Sequence, residues 1–356
     1  MRAKRIATRD GLGALCGVAA GLLTALALAA CGGGGSTTTP VVHRTSATSR
    51  SSTVRTRTDA SSTSTTTSTT TAALPGAGRP VVTIGDKNYT EQFVLGQLYL
   101  QALKAQGFSV DITDNIGPPA VIRQALKSGS LAMYPEYLDV FNQTYTRLHR
   151  AVHSRQAAER AARHWARRHG LSLLAPTPFS DTDAIAVTDA TAARHRLRTL
   201  GDLDRLAGHL VIGGAAQFEK APPGLPSLAH AYGVAPASFQ ALAVGDQYND
   251  LDGGTIGAAY VNTTDGQLAT GDYRVLADPR RLFGYGNVVP VLSRSVAAKE
   301  GPAFTATIVR VDRTLTLRAM RTLNYAVDVA GQSPADVAKQ YLETHGLLTP
   351  LRPSDF

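Results

Sequence analysis

From residue 81 onward, short apolar runs alternate with segments whose apolar positions recur every three or four residues. The runs at 81–84 and 110–113 predict buried β-strands. The segment between them predicts a helix that is capped by Asn88, completes a capping box with Glu91 and stops before Gly107. Such alternation is typical of an α/β domain with a mostly parallel sheet. The same patterns predict a helix at 120–126 and strands at 131–134, 184–187, 210–213, 257–261, 275–277 and 288–292.

The first thirty residues have the pattern of an export signal. Four basic side chains lie within residues 1–9, and residues 11–30 are mainly Gly, Ala, Leu and Val. This run ends in Leu28-Ala29-Ala30-Cys31, which matches the lipobox of bacterial lipoproteins. We therefore expect a signal peptide at 1–30, a lipid on the sulfur of Cys31, and a location on the extracytoplasmic face of the cell membrane. A simple membrane-spanning anchor is the alternative.

Residues 31–79 predict a disordered tether. Ser and Thr occupy 24 of the 36 positions from 36 to 71, so the segment cannot bury enough apolar surface to fold. As a flexible coil, it would reach about 35–40 Å from the membrane.

The formal net charge of +9 is concentrated at the N-terminus, since 27 of the 36 basic and 25 of the 27 acidic side chains follow residue 79. A nearly balanced body gives no reason to expect nucleic acid as a partner. The most basic stretch, 147–170, predicts a solvated amphipathic helix, and its His149/His153 pair has no acidic residue nearby in sequence to complete a metal site. Cys16 and Cys31 are the only cysteines, which excludes a disulfide or thiolate metal site in the body.

Motifs of catalysis are missing from the sequence: there is no G-x-S-x-G, no H-E-x-x-H and no Walker lysine loop. A carboxylate pair formed by Asp181 and Asp183 is the remaining basis for an enzyme, and such pairs are more often solvated or hydrogen-bonded. The sequence therefore predicts neither an enzyme nor a cofactor.

Five blocks carry a family resemblance. Residues 84–92, IGDKNYTEQ, are similar to the GSKNFTEQ opening of substrate-binding proteins of the glycine betaine/choline/carnitine type, the ProX/OpuAC group of osmoprotectant ABC importers. Matching blocks follow in the same order at 124–137, 218–233, 263–266 and 323–347. The resemblance covers about residues 81 to 349, essentially the whole body.

This resemblance implies a type II periplasmic-binding-protein fold, with two α/β lobes, two hinge crossings and a ligand cleft that closes by hinge motion. We expect crossings near 181–183 and 285–287, so that lobe one comprises 80–182 plus 286–356 and lobe two comprises 183–285.

The resemblance also implies a site with aromatic faces for a quaternary ammonium and donors for a carboxylate. Lys87 matches a carboxylate donor, and Tyr137 and Tyr285 match two of four aromatic positions. Asp183 and Asn262 stand where the family has the other two aromatics, and Ala221 replaces its carboxylate-binding arginine. The expected ligand-binding residues are Lys87, Tyr137, Asp181, Asp183, Gln217, Asn262 and Tyr285.

The resemblance implies a monomeric, lipid-anchored binding component that delivers a small quaternary-ammonium or zwitterionic osmoprotectant to a permease and its ATPase. Two alternatives stay open. The cleft is retuned for a different ligand, such as a polar neutral or aromatic compound, or the protein is a surface lipoprotein without a transport role.

Overall fold

The computed structural model describes residues 73–146 and 154–356. The predicted signal peptide, Cys31, the tether up to residue 72 and the His149/His153 pair lie outside the described residues. Within the described parts, no helix is both long enough and apolar enough to cross a membrane. Residues 73–79, assigned to the tether from the sequence, pack on the body through an amide hydrogen bond from Gly76 to the carbonyl of Gln106 (2.8 Å).

Strands and helices alternate through the described chain. The strands are β1 (Val82–Gly85), β2 (Val110–Thr113), β3 (Met133–Tyr137), β4 (Leu171–Leu173), β5 (Asp183–Thr188), β6 (Val211–Gly214), β7 (Ser238–Ala241), β8 (Ala258–Asn262), β9 (Tyr273–Val275) and β10 (Val288–Ser293). The α-helices are α1 (Thr90–Ala105), α2 (Pro119–Ser128), α3 (Leu138–Phe141), α4 (Arg155–Arg168), α5 (Asp189–His195), α6 (Leu225–Tyr232), α7 (Asp246–Asp252), α8 (Arg294–Glu300), α9 (Pro302–Asp312), α10 (Leu317–Asp328) and α11 (Pro334–Thr344).

The strands form two five-stranded sheets. The first has the order β2-β1-β3-β10-β4 and the second has the order β7-β6-β8-β5-β9. Each sheet has a hydrophobic cluster on either side, and the largest cluster packs α1, α9 and α11 against the first sheet. The α/β class is confirmed.

Parallel and antiparallel pairings are equally frequent in the described sheets, so the prediction of mostly parallel sheets was wrong. In the first sheet β10 runs antiparallel to β3 and β4, and in the second β5 runs antiparallel to β8 and β9. Each of these two strands enters its sheet directly after the chain has come from the other one. Their direction is therefore set by the crossings, which are not encoded in the apolar pattern of any one strand.

The two crossings run side by side. The chain leaves the first sheet after Leu173 and enters the second at Asp183, and it returns between Val275 and Val288. The amide of Asp181 donates to the carbonyl of Gly286 at 2.9 Å. A Cβ atom at Gly286 would lie 1.5 Å from the Asp181 carbonyl oxygen, so only glycine permits this approach. The lobe boundaries at 182/183 and 285/286 stay a prediction.

Helix α1 starts differently from the sequence prediction. Its N-cap is Tyr89 rather than Asn88, and no side chain caps it. Glu91, expected in a capping box, instead accepts hydrogen bonds from Tyr137 and Asn324. Long-range partners have replaced the local one.

Candidate functional site

A cluster of tyrosines and carboxyl groups lies where the crossings meet the two sheets. Helix α1 supplies Glu91, the first crossing supplies Asp181, and β5 starts with Asp183. The members of this tyrosine–carboxylate cluster are Tyr89, Glu91, Tyr137, Asp181, Asp183 and Tyr260.

Glu91 is the most connected carboxyl of the cluster. Its Oε1 accepts from the Tyr137 hydroxyl at 2.8 Å, and its Oε2 accepts from Asn324 Nδ2 at 3.2 Å. Asn324 also donates to the carbonyl of Thr264 at 2.9 Å, which links α1 and α10 to the segment after β8. Burial raises the pKa of Glu91, against the hydrogen bonds that it accepts from Thr264, Tyr137 and Asn324. A positive charge placed next to Glu91 would favour its ionised form and would in turn be stabilised by it.

Asp181 holds a carboxyl oxygen without a partner. Its Oδ1 is buried and makes no hydrogen bond among the described residues. Burial raises the pKa of Asp181 well above its usual range, and the nearby Glu91 raises it further. A buried polar atom of this kind is costly unless something pairs with it, so a ligand that donates a hydrogen bond or carries positive charge would relieve the cost.

Tyr137 and Tyr89 supply the aromatic surface on the first-sheet side. Their rings stack with centroids 6.1 Å apart and planes 26° from parallel. Tyr137 is 5% exposed, whereas Tyr89 is 39% exposed. The accessible ring is therefore that of Tyr89, which no sequence argument had selected although it lies within the IGDKNYTEQ block.

Tyr260 and Asp183 form the second-sheet side. The Tyr260 hydroxyl donates to Asp183 Oδ1 at 2.6 Å, and its ring stacks on Phe218 at 4.3 Å. Burial raises the pKa of Asp183, against the hydrogen bond from Tyr260. Tyr260 precedes Asn262 by two positions on β8, and side chains two apart on a strand share a face. The resemblance expects an aromatic residue at position 262, where this chain has Asn262. The structure instead provides the ring of Tyr260, two residues earlier on the same strand face.

Lys87 is already paired. Its Nζ lies 2.5 Å from Glu136 Oε1, and Glu136 is 3% exposed. The Tyr134 hydroxyl donates to the other Glu136 oxygen at 3.1 Å, and the Lys87 ammonium lies 5.8 Å from the Tyr134 ring centroid. The charge expected to receive a ligand carboxylate is therefore largely neutralised within the protein.

Three expected site residues make no side-chain hydrogen bond to the cluster. Gln217 and Asn262 are exposed, and their side chains make no hydrogen bond among the described residues. Tyr285 is half-buried, packs against the aromatic cluster that includes Phe141, and has the Arg281 guanidinium 5.7 Å from its ring centroid. The structure brings together Tyr137, Asp181 and Asp183, with Lys87 next to them. Asn262 lies beside Asp183, as its partner in the antiparallel pairing of β5 and β8.

Acidic groups outnumber cations around the cluster. Burial raises the pKa of Asp139 and of Asp265, each to about 6. The cations nearby are Lys87, which is paired, and Arg321, whose Nε donates to the carbonyl of Thr263 at 2.7 Å. Among the described residues, no group of His, Cys, Asp and Glu is arranged to hold a metal ion. Aromatic rings beside buried acids suit an organic cation, which desolvates more cheaply than a metal ion.

Comparisons with known proteins agree with this chemistry. Residues 80–344 match the family model described as the substrate-binding domain of ABC-type glycine betaine transport systems. The chain is 29% identical to a glycine-betaine-binding protein of Pseudomonas aeruginosa over 281 residues, which cover 74% of this chain and 88% of that protein. It is 28% identical to the glycine betaine-binding protein YehZ of Escherichia coli over 286 residues, covering 77% and 93%.

A solved structure shares the fold. The crystal structure of a glycine betaine/carnitine/choline ABC transporter protein superposes with a TM-score of 0.70 at 20% identity, covering 75% of this chain and all of that one. The type II periplasmic-binding-protein fold expected from the sequence is confirmed.

Proposed function

The chain belongs to the family of substrate-binding domains of ABC-type glycine betaine transport systems, and on that basis we propose that it captures a small quaternary-ammonium or zwitterionic solute at the tyrosine–carboxylate cluster. It is the substrate-binding component of such a transporter and not an enzyme. Its partners in this role are a permease and its ATPase, and it acts as a monomer.

The observation that supports this ligand class is the pairing of an accessible aromatic ring with buried acids. Tyr89 exposes its ring beside Asp181 and Glu91, and Asp183 lies across the crossing on the second sheet. A cation over an aromatic face gains about 0.5–2 kcal/mol. A carboxylate nearby adds a charge-assisted contact without needing a hydrogen-bond donor on the ligand.

A second candidate ligand class rests on the carboxylate end of the site. Lys87 is engaged by Glu136, and Ala221 stands where the resemblance expects an arginine. A solute with a cationic group and no carboxylate, or a neutral polar or aromatic solute, would lose nothing from these changes. Glycine betaine would lose a partner for its carboxylate.

We further propose that a lipid on Cys31 holds the protein on the extracytoplasmic face of the membrane. The lipobox at residues 28–31, the Ser/Thr-rich tether and a body without cysteine support this arrangement. A surface lipoprotein without a transport role is the competing interpretation, and absence of any solute ligand together with absence of neighbouring permease and ATPase genes would favour it.

Calorimetry tests the ligand assignment. Wild type, Tyr89→Leu and Asp183→Asn are titrated with choline, glycine betaine, carnitine and a neutral polyol, with Asp204→Asn as the control because Asp204 is exposed on the second-sheet side. We expect Asp183→Asn to weaken a cation about tenfold or more and a neutral solute much less, since a desolvated charge pair contributes more than a neutral hydrogen bond. Tight glycine betaine binding that is indifferent to both substitutions would place the site elsewhere.

A further inference from the structure

A second charged surface lies at the opposite end of β5 from Asp183. Helix α5 follows this strand, and a turn leads to the 3-10 helix Leu200–Leu206. Strand β9 borders the region at the edge of the sheet. Six basic side chains project here, and we call them the arginine surface: Arg194, His195, Arg196, Arg198, Arg205 and Arg274.

All members of the arginine surface except Arg194 line an open cavity of about 590 Å³. Ala192, Ala193 and Leu197 also line it, and of these Ala192 and Leu197 are buried. Arg196 is held in the left-handed conformation with φ 53° at the end of α5. Its backbone is fixed by Arg205, whose guanidinium donates to the carbonyl oxygens of His195 (3.3 Å) and Arg196 (2.8 Å).

Two of the arginines have acidic partners within the protein. Arg205 pairs with Asp202 at 2.9 Å, and Arg274 pairs with Asp189 through both Nε and Nη2. Among the described residues, no carboxylate lies within ion-pair distance of Arg194, Arg196 or Arg198, and all three are exposed. The surface therefore carries an excess of about three positive charges.

The excess is local, because 27 basic and 25 acidic side chains follow residue 79 in total; the other basic stretch of the body is 147–170. Guanidinium groups bind phosphate oxygens through paired N–H donors. A site for one small anion would bury its donors, whereas these side chains are spread over an exposed surface. That arrangement suits a surface of many phosphates better than a single free phosphate.

We propose that the arginine surface binds the anionic phospholipid headgroups of the membrane from which the protein projects. This inference rests on the proposed anchoring for one point, the closeness of the membrane. The tether keeps the body within about 35–40 Å of the bilayer. Each arginine close to an anionic bilayer raises binding about fivefold. Three unpaired arginines are enough to hold the body weakly and reversibly at an anionic membrane, leaving the tyrosine–carboxylate cluster free to bind solute.

Hydrogen exchange on vesicles tests the proposal. The full chain, purified from membranes, is reconstituted into vesicles of phosphatidylcholine alone or with one third phosphatidylglycerol. We expect the amides of 190–206 to exchange at least about threefold more slowly on the anionic vesicles, and added salt to abolish the difference. The protection is expected to vanish in Arg196→Glu/Arg198→Glu. It is expected to persist in the matched control Arg167→Glu/Arg168→Glu, which reverses two exposed charges on α4.

Several results would overturn the proposal. Equal exchange on both vesicle types, or equal losses in the two double variants, would show that no specific surface is involved. Protection by glycerol phosphate without vesicles would assign the surface to a small anion instead. Flotation with neutral vesicles reports the anchor separately: if the chain does not float, the anchoring proposal fails, and flotation with anionic vesicles then tests the arginine surface alone.

Discussion

Replacing Asp312 by Asn is expected to remove part of the pH dependence of stability. Asp312 is the last residue of α9 and is 3% exposed. Its Oδ1 accepts from the hydroxyl of the fully buried Tyr99 at 2.6 Å, and its Oδ2 has no partner among the described residues. Burial raises the pKa of Asp312 from 3.8 to about 7, against the hydrogen bond from Tyr99.

The direction of the pH dependence of stability follows from which state, folded or unfolded, binds the proton of Asp312 more tightly. Because the folded state has the higher pKa, it binds the proton more strongly than the unfolded chain, so stability falls as the pH rises from about 4 to about 7 and then levels off. The full difference corresponds to about 4 kcal/mol, of which about 2–3 kcal/mol is lost between pH 5 and pH 8. Asn keeps an oxygen for the Tyr99 hydroxyl and cannot ionise.

Urea denaturation at pH 5, 6, 7 and 8 measures the effect. The free energy of unfolding of Asp312→Asn is expected to gain about 2–3 kcal/mol over wild type between the two ends of this range. Asp252→Asn is the control, because Asp252 also accepts from a tyrosine hydroxyl, that of Tyr273 at 2.8 Å, but is exposed to water. If the profiles of wild type and Asp312→Asn are parallel, the carboxyl is not held protonated and the reasoning fails.

Three further predictions concern a close backbone contact, hinge movement and anchoring. A Cβ at Gly266 would lie 2.6 Å from Cα of Tyr325, so Gly266→Ala is expected to separate these segments and to weaken ligand binding, measured by calorimetry, about tenfold. Gly208→Ala is the control, because Gly208 has open space around it. Equal affinities of the two variants would contradict this prediction. Saturating ligand is expected to reduce the radius of gyration in X-ray scattering if the lobes close, and an unchanged radius would argue against hinge motion. Cys31→Ala is expected to abolish fatty-acid labelling and release the protein from membranes; an unchanged labelled product would refute lipidation.

Much of the fold could be predicted because its strands are short, apolar and locally patterned. The strand at 110–113 was placed at its observed bounds, and that at 288–292 ends one residue early. Strands β4 and β7 were missed, since β4 has three residues and β7 is an edge strand with exposed Ser238 and Ala241 at its ends. Neither forms an apolar run that stands out from its surroundings.

The site was less predictable because its contacts join distant segments. Glu91 has hydrogen-bond partners 46 and 233 residues away, and no local pattern favours them over a capping box. The pairing of Lys87 with Glu136 needs the register of β1 beside β3. Tyr260 could have been found from the sequence, by asking which aromatic shares a strand face with Asn262.

The Lys87–Glu136 ion pair bears on how this protein would change its ligand in evolution. If Lys87 lies at the position of a ligand carboxylate, as the sequence predicts, Glu136 holds the ammonium that a zwitterion would otherwise engage. Lys87 keeps 22% of its side chain accessible, so its charge would remain hydrated if the pair were lost. A single exchange of Glu136 for Gln would leave that ammonium open to solutes bearing an acid group. In the proposed site, selectivity between cations and zwitterions would then depend on one side chain that needs no contact with the ligand itself.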